Sequence, residues 1–344
     1  MRLSLAFACL FGYTIASPLV RTRQATSQTS PPDGAVVVDG SSSPQAGSFP
    51  TVQQGVDALS NSSTTAQVLF IFPGTYEEQV YIPALQSSLT IQGHTIDSSS
   101  YEKNEVTISY NLARTTVANN DVTATVRQWN NNTKFYNVNI KNTFSPHPST
   151  NGQNLAISAQ TGNQGYYGVQ FWGYQDTVLA NEGNQLYAKC LIVGAVDLIF
   201  GQDATAWFEN VDIRVNGNGF ITASGRDSAD NPSWYVINNS DVAAIDSSIP
   251  AGDSSLGRPW KAFARVVVQN TFLGDVIKAA GWDAWSSASD GNTPNSTLAE
   301  FGNTGPGSEG TRASFSKKLD EAVSFESILG SEYKSEWYVD SAYL

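Results

Sequence analysis

Cysteine is nearly missing from this chain of 344 residues, which carries only Cys9 and Cys190. With Cys9 in a cleaved signal segment, no intramolecular disulfide could form, and core size alone would have to hold the fold. Basic residues are scarce as well, 19 Lys and Arg against 31 Asp and Glu, for a formal net charge of −12. There is no basic run, so a nucleic-acid partner is not expected, because a phosphate backbone is met by Lys and Arg. Long apolar runs are also lacking: the stretch from Leu3 to Ile15 is too short to span a bilayer, and no later one is longer. Charged residues of both signs make up only 15% of the chain. Weak charge with abundant Gly, Ser, Thr and Asn points to an all-β architecture.

The chain does begin with a recognisable segment. "MRLSLAFACLFGYTIAS" has Arg2, an apolar stretch and then small residues, the form of a secretory signal cleaved after Ala16 or Ser17. The expected organisation is a signal over 1–17, a flexible or processed leader over 18–30 and one folded domain over 31–344. Sequons at Asn61, Asn131, Asn238 and Asn295 agree with a secreted, extracellular glycoprotein.

A short pattern organises the rest: apolar, any, Asn or a substitute, two of any kind, apolar. It reads "FYNVNI" (135–140), "YYGVQF" (166–171), "YAKCLI" (187–192), "FENVDI" (208–213), "INNSDV" (237–242) and "VQNTFL" (268–273). Its third positions, 137, 168, 189, 210, 239 and 270, are 31, 21, 21, 29 and 31 residues apart. Intervals of this size with period-two alternation mark a solenoid of strands, predicting a right-handed parallel β-helix with one coil per repeat. The third-position Asn residues are expected to stack as an internal amide ladder.

An open solenoid needs its ends covered. "SFPTVQQGVDALS" places Phe49, Val52, Val56 and Leu59 on one helical face with Ser48 as N-cap, predicting a short capping helix. From residue 275 the repeat fades into Gly, Ser and Asn, followed by a helix-like "SFSKKLDEAVSFESIL". That tail is expected to pack along the barrel.

Within this register two acidic residues stand out. Asp176 lies eight residues after Gly168, and Asp197 eight after Lys189, both inside otherwise apolar blocks. Equal offsets in consecutive coils put the carboxylates one strand spacing apart, about 4.8 Å. Like charges so close split their pKa values and divide the roles of acid and base or nucleophile. The competing reading is a pair of turn aspartates bonded to their own backbone. As chemistry, the pair suits a glycosidase, a lyase with a metal or strong base, or an esterase with one carboxylate as nucleophile. A serine hydrolase is disfavoured: G-x-S-x-G is absent and only His94 and His147 could act as base. A carbohydrate-binding β-helix without chemistry is the non-enzymatic alternative.

"GYQDT" (173–177), "GAVDLIFG" (194–201) and "LGRPW" (256–260) resemble the three signature blocks of the pectin methylesterases. "VVVDGSSSPQAGSFPTVQQGVDAL", "PGTYEEQVYIP" (73–83), "GQNLAI" (152–157) and "GNTGPGS" (302–308) extend the likeness, in order, over residues 35 to 310. The resemblance implies that Asp197 is the nucleophile on a galacturonate methyl ester and Asp176 the proton donor and acceptor. It implies that Gln175 and Gln153 hold the oxyanion, that Arg258 orients Asp197, and that Trp260 stacks on a sugar ring. Phe200, Val196 and Trp282 are further cleft candidates. The expected substrate is methyl-esterified pectin, with a polygalacturonase or lyase as the enzymatic alternative. Neither metal nor organic cofactor is expected, nor a membrane, and the enzyme is expected to be a monomer. Leu198, Val178 and Ala180 depart from the residues usual at their positions and are expected to touch packing or subsites. A short leader before one catalytic domain resembles the fungal and microbial members.

Overall fold

The computed structural model describes residues 26–145, 152–286 and 290–344. His147 and most of the expected signal and leader lie outside the described residues; within them Gln28 is tied by backbone bonds to Thr95 and Ser98 N–H donates to Thr26 O.

Period-two alternation here produces a right-handed parallel β-helix. One sheet stacks eleven parallel strands, from Val36–Val38 through Gln164–Tyr167, Glu182–Ala188 and Asp203–Glu209 to Lys317–Lys318. The second has thirteen strands and supplies the other faces, which Leu191–Gly201 and Asp212–Ser224 join by running across both. Inward-facing apolar residues stack coil on coil. Phe135, Tyr166, Tyr187 and Phe208 form a ladder with ring centroids 5.2, 4.6 and 4.5 Å apart, each contact contributing about 0.5–1.5 kcal/mol beyond burial. Leu198, Val178 and Ala180, the departures from the usual motif, are all fully buried.

The repeat positions are corners rather than an internal ladder. Asn137, Gly168, Lys189, Asn210, Asn239 and Asn270 all have φ between 48° and 61°, the left-handed region that Asn and Gly tolerate best. Their amides bond elsewhere: Asn137 Nδ2 donates to Ser100 O at 2.8 Å, and Asn239 Nδ2 to Glu209 Oε1 at 2.8 Å. Asn is selected here for its backbone. The corner column continues at Gly302, φ 62°, and Thr297–Phe301 adds another parallel strand to the sheet. The repeat therefore does not stop at 275. It becomes unreadable because Glu300 occupies the inward, apolar position, where Arg312 Nε and Trp282 Nε1 donate to its Oε1 at 2.9 and 3.1 Å.

The first coil is capped by a helix. Helix Val52–Asp57 buries Val52, Gly55 and Val56 against the first strand. Its N-cap is Thr51, whose side chain accepts from Gln54 N–H, whereas Ser48 donates to Gln45 O and Phe49 bridges to Val38. The tail packs along the barrel as expected, but only Phe325–Leu329 of the helix-like segment is helical. Lys317–Lys318 instead pairs with Ala299 and Glu300 as the last strand.

Candidate active site

Stacked coils carry the paired residues: Asp176 just before strand Val178–Ala180, Asp197 in Leu191–Gly201, and Arg258 in Ser254–Pro259, one strand beyond Asp212–Ser224. Val178–Ala180 pairs in parallel with the end of Leu191–Gly201, Val178 opposite Ile199, and Gln175 bridges Val196. That register places Asp176 beside Asp197, as the equal offsets required. Both aspartates have left-handed backbone, φ 64° and 52°, a conformation that costs energy in most L-residues and that Asp accepts more readily than most. The strand around Asp197 also shifts register between Gly194 and Ile199. Such bulges re-aim side chains, and here the shift lies at Asp197, whose carboxylate lines the cleft with that of Asp176.

That cleft has a volume of about 260 Å³ and is lined by Asp176, Asp197, Gln153, Gln175, Arg258, Trp260, Phe200, Asn120, Ala223 and Trp285. Both carboxylates are buried, each 5% exposed. Arg258 Nε donates to Asp197 Oδ1 at 2.9 Å and Nη2 to Oδ2 at 2.7 Å, a two-pronged pair. The guanidinium is itself fixed between the rings of Phe220 and Trp285, at 3.9 and 4.3 Å from their centroids. Gly257 precedes Arg258 because no Cβ fits: one would lie 2.0 Å from Thr222 Oγ1.

Burial first, then the neighbouring Asp197 charge, pushes the Asp176 carboxyl well above the usual carboxylate range, against Arg258 and a hydrogen bond from Asn120. Burial raises Asp197 too, but Arg258 opposes it by hydrogen bond and charge. The arrangement favours a protonated Asp176 beside an ionised Asp197. Gln175 and Gln153 line the same cleft, and among the described residues neither side-chain amide has another hydrogen-bond partner. The 174–175 backbone is held by Asn154 Oδ1, which accepts from Tyr174 N–H at 3.2 Å and Gln175 N–H at 2.9 Å.

Two sequence candidates fall elsewhere. Trp282 is a core residue, 1% exposed, whose indole is committed to Glu300. Val196 does not line the cleft; its backbone carbonyl accepts from Asp176 N–H at 2.9 Å, so it sets register. Asn120 and Trp285 were not foreseen, since both lie outside the repeat and the motif blocks. His94, a rejected base, pairs with Glu105 at 2.6 Å. Among the described residues no group of three or more His, Cys, Asp or Glu could hold a metal ion.

An arginine-paired aspartate beside a second buried carboxyl on a β-helix suits glycoside or ester hydrolysis, and relatives of known class put the chain among the β-helical carboxylic ester hydrolases. The pectinesterase family profile matches residues 35–324. A pectinesterase of Aspergillus niger is 46% identical over 327 residues, covering 94% of this chain and 96% of that one. The crystal structure of the pectin methylesterase from Aspergillus niger superposes with a TM-score of 0.84 at 35% identity, over 92% of this chain and 100% of that one. A pectin methylesterase solved in complex with a hexasaccharide shares the fold, with a TM-score of 0.70 at 24% identity over 86% of this chain and 97% of the other. The chain belongs to the pectinesterase family, and it is an ester hydrolase that demethylates pectin.

Proposed function

We propose that the enzyme works by aspartate nucleophilic catalysis, as a secreted monomer acting on homogalacturonan. The observation that carries this reading is the two-pronged Arg258–Asp197 pair beside the buried carboxyl of Asp176, which burial and the Asp197 charge push well above the usual carboxylate range. Arg258 keeps Asp197 ionised and aims it, so a carboxylate oxygen attacks the C6 carbonyl carbon of a methyl ester. The negative charge that develops on the carbonyl oxygen is met by the free amides of Gln175 and Gln153, neutral donors preorganised in a small cleft. As the tetrahedral intermediate collapses, the C–O bond to methoxide breaks and Asp176 gives it a proton, releasing methanol. Asp176, now charged, takes a proton from water. The hydroxide formed cleaves the acyl-enzyme anhydride, and Asp197 departs as carboxylate.

Trp260 and Phe200, 6.3 Å apart by ring centroids, form one wall of the cleft and offer apolar faces to a pyranose ring. The hexasaccharide bound by a relative of the same fold supports an extended polymer as substrate. Secretion rests on the signal-like 1–17 and on sequons with exposed Asn61, Asn131 and Asn295. The fourth, Asn238, is not a glycan site in the folded protein: it lies buried in strand Trp234–Asn238 with its Nδ2 donating to Glu209.

Methanol release from esterified pectin by purified variants tests the mechanism. Asp197→Ala abolishes turnover, since no acyl-enzyme forms. Asp176→Asn keeps shape and loses proton transfer, which lowers kcat by about 10²–10⁴-fold. Near-normal rates in both variants would return these residues to a structural role.

A further inference from the structure

The amide that faces Asp176 comes from a part of the chain without repeat or motif. Asn120 Nδ2 donates to Asp176 Oδ2 at 2.8 Å. The turn that carries it is fixed on several sides. Asp121 accepts from Arg127 Nε and Nη2 at 3.0 and 2.6 Å and from Trp129 Nε1 at 3.2 Å. Gln79 Nε2 donates to Val122 O and Ala124 O, both at 2.8 Å. Thr123 Oγ1 donates to Asn120 O at 2.8 Å and accepts from Leu155 N–H at 3.2 Å. Only the backbone of Asn120 takes part in these anchors, so its side chain is free to serve the cleft.

We infer that Asn120 is a positioning residue for proton transfer: its amide occupies Asp176 Oδ2, confines the transferable proton to Oδ1 and stabilises the carboxylate left after the proton has gone. The inference rests on the reading of Asp176 as acid and base. An amide N–H can only donate, so an oxygen facing it at 2.8 Å is held as acceptor and the acid's hydrogen sits on the other oxygen. An acid that must give up its proton and regain one within a single turnover needs both forms accessible. The charges facing Asp176 are few. Asp197 opposes its ionisation and Arg258 favours it, while Gln153, Gln175 and Asn120 are neutral. Asp121, next to Asn120, is already paired with Arg127. Against burial and Asp197, Asn120 is the neutral group that tips Asp176 back toward ionisation.

The test is the pH profile of kcat/KM for methanol release from highly esterified pectin. Its basic limb reports the loss of the Asp176 proton. In Asn120→Ala this limb moves to higher pH by about one to two units, the size of a hydrogen bond to a charged group, and kcat falls about tenfold or more. Asn120→Asp, with a second carboxylate where the donor stood, moves it further in the same direction. Thermal unfolding of both variants near that of the parent shows that the turn is intact. A limb that stays in place in Asn120→Ala, whatever happens to kcat, overturns the inference. So does a limb that moves to lower pH, which would mean that the amide oxygen faces Asp176. Asp176→Asn is measured alongside: a residual activity that keeps the basic limb means that Asp176 is not the proton carrier, and the underlying mechanism fails rather than the role of Asn120.

Discussion

Two outward faces of the same helix have opposite fates. On the eleven-stranded sheet the register lines up Leu186, Trp207, Val236, Val267 and Ala299. The tail covers that column with Ile328, Leu329, Tyr333 and Tyr338, and Phe325 stacks on Trp207 at 4.0 Å between centroids. On the thirteen-stranded sheet the equivalent column reads Arg127, Ser158, Leu179, Phe200, Ala223 and Arg258. Among the described residues no tail helix covers this column, and the cleft opens onto it. The backbone ladder is the same in both places. What differs is how polar the column is, and therefore whether a stretch of chain or a substrate is its natural cover. One face contributes stability; the other contributes chemistry and costs stability.

The sharpest way to break this contrast is to empty the covered face. Trp207 is 1% exposed, donates its indole N–H to Glu209 Oε2 at 2.8 Å and carries the stacked Phe325. Trp207→Ala is expected to lose about 3–5 kcal/mol of stability, read by denaturant unfolding. Methanol release per folded molecule stays within about twofold, because the substitution lies across the barrel from the cleft. A large fall in kcat in the folded variant would show that the tail face and the active face are coupled.

How far the chain could be read in advance follows from the same division. The coils were legible because corners and inward positions obey a period: a left-handed corner selects Asn or Gly, and an inward position selects an apolar side chain. The reason for the Asn was misread, since a left-handed backbone and a stacking amide leave the same letter in the sequence. The aspartate pair was legible because stacked coils turn equal offsets into neighbours. Asn120 and Trp285 were not, because each reaches the cleft from a connecting segment whose path depends on particular anchors, such as Asp121 on Arg127 and Trp129. Trp282 misled for the converse reason. An aromatic in an irregular tail looks available, yet Glu300, itself an inward residue out of pattern, draws its indole into the core.

A smaller effect should appear on the open face itself. Burial and Asp197 raise the folded-state pKa of Asp176, so the native state binds its proton more tightly than the unfolded chain does. The sign follows: this group's contribution to stability is fully present below the unfolded value of about 3.9 and is lost as pH rises through the folded value. Asn mimics the protonated acid at every pH. Asp176→Asn should therefore unfold at a higher temperature than the parent at pH 7, with the difference shrinking toward pH 4. Calorimetry at both pH values checks this. A difference independent of pH, or a less stable variant at pH 7, would mean that Asp176 is held as a carboxylate.

The smallest effect expected is electrostatic and belongs to the whole surface rather than the cleft. Inside the cleft Asp197 is paired with Arg258, and burial and the Asp197 charge favour the neutral form of Asp176. The chain as a whole carries a formal −12, and each turnover converts a neutral ester into another anionic galacturonate. A substrate that becomes more negative as it is processed is repelled over distances that salt shortens, to about 10 Å at 0.1 M. Raising NaCl to about 0.1 M should therefore lower KM for low-ester pectin severalfold. KM for highly esterified pectin should change little, and kcat for either should hold, since the reacting groups are buried and paired. A KM for low-ester pectin that rises with salt would show that the open face attracts the carboxylates. In that case the cationic residues of its column, Arg127 and Arg258, would outweigh their acidic partners.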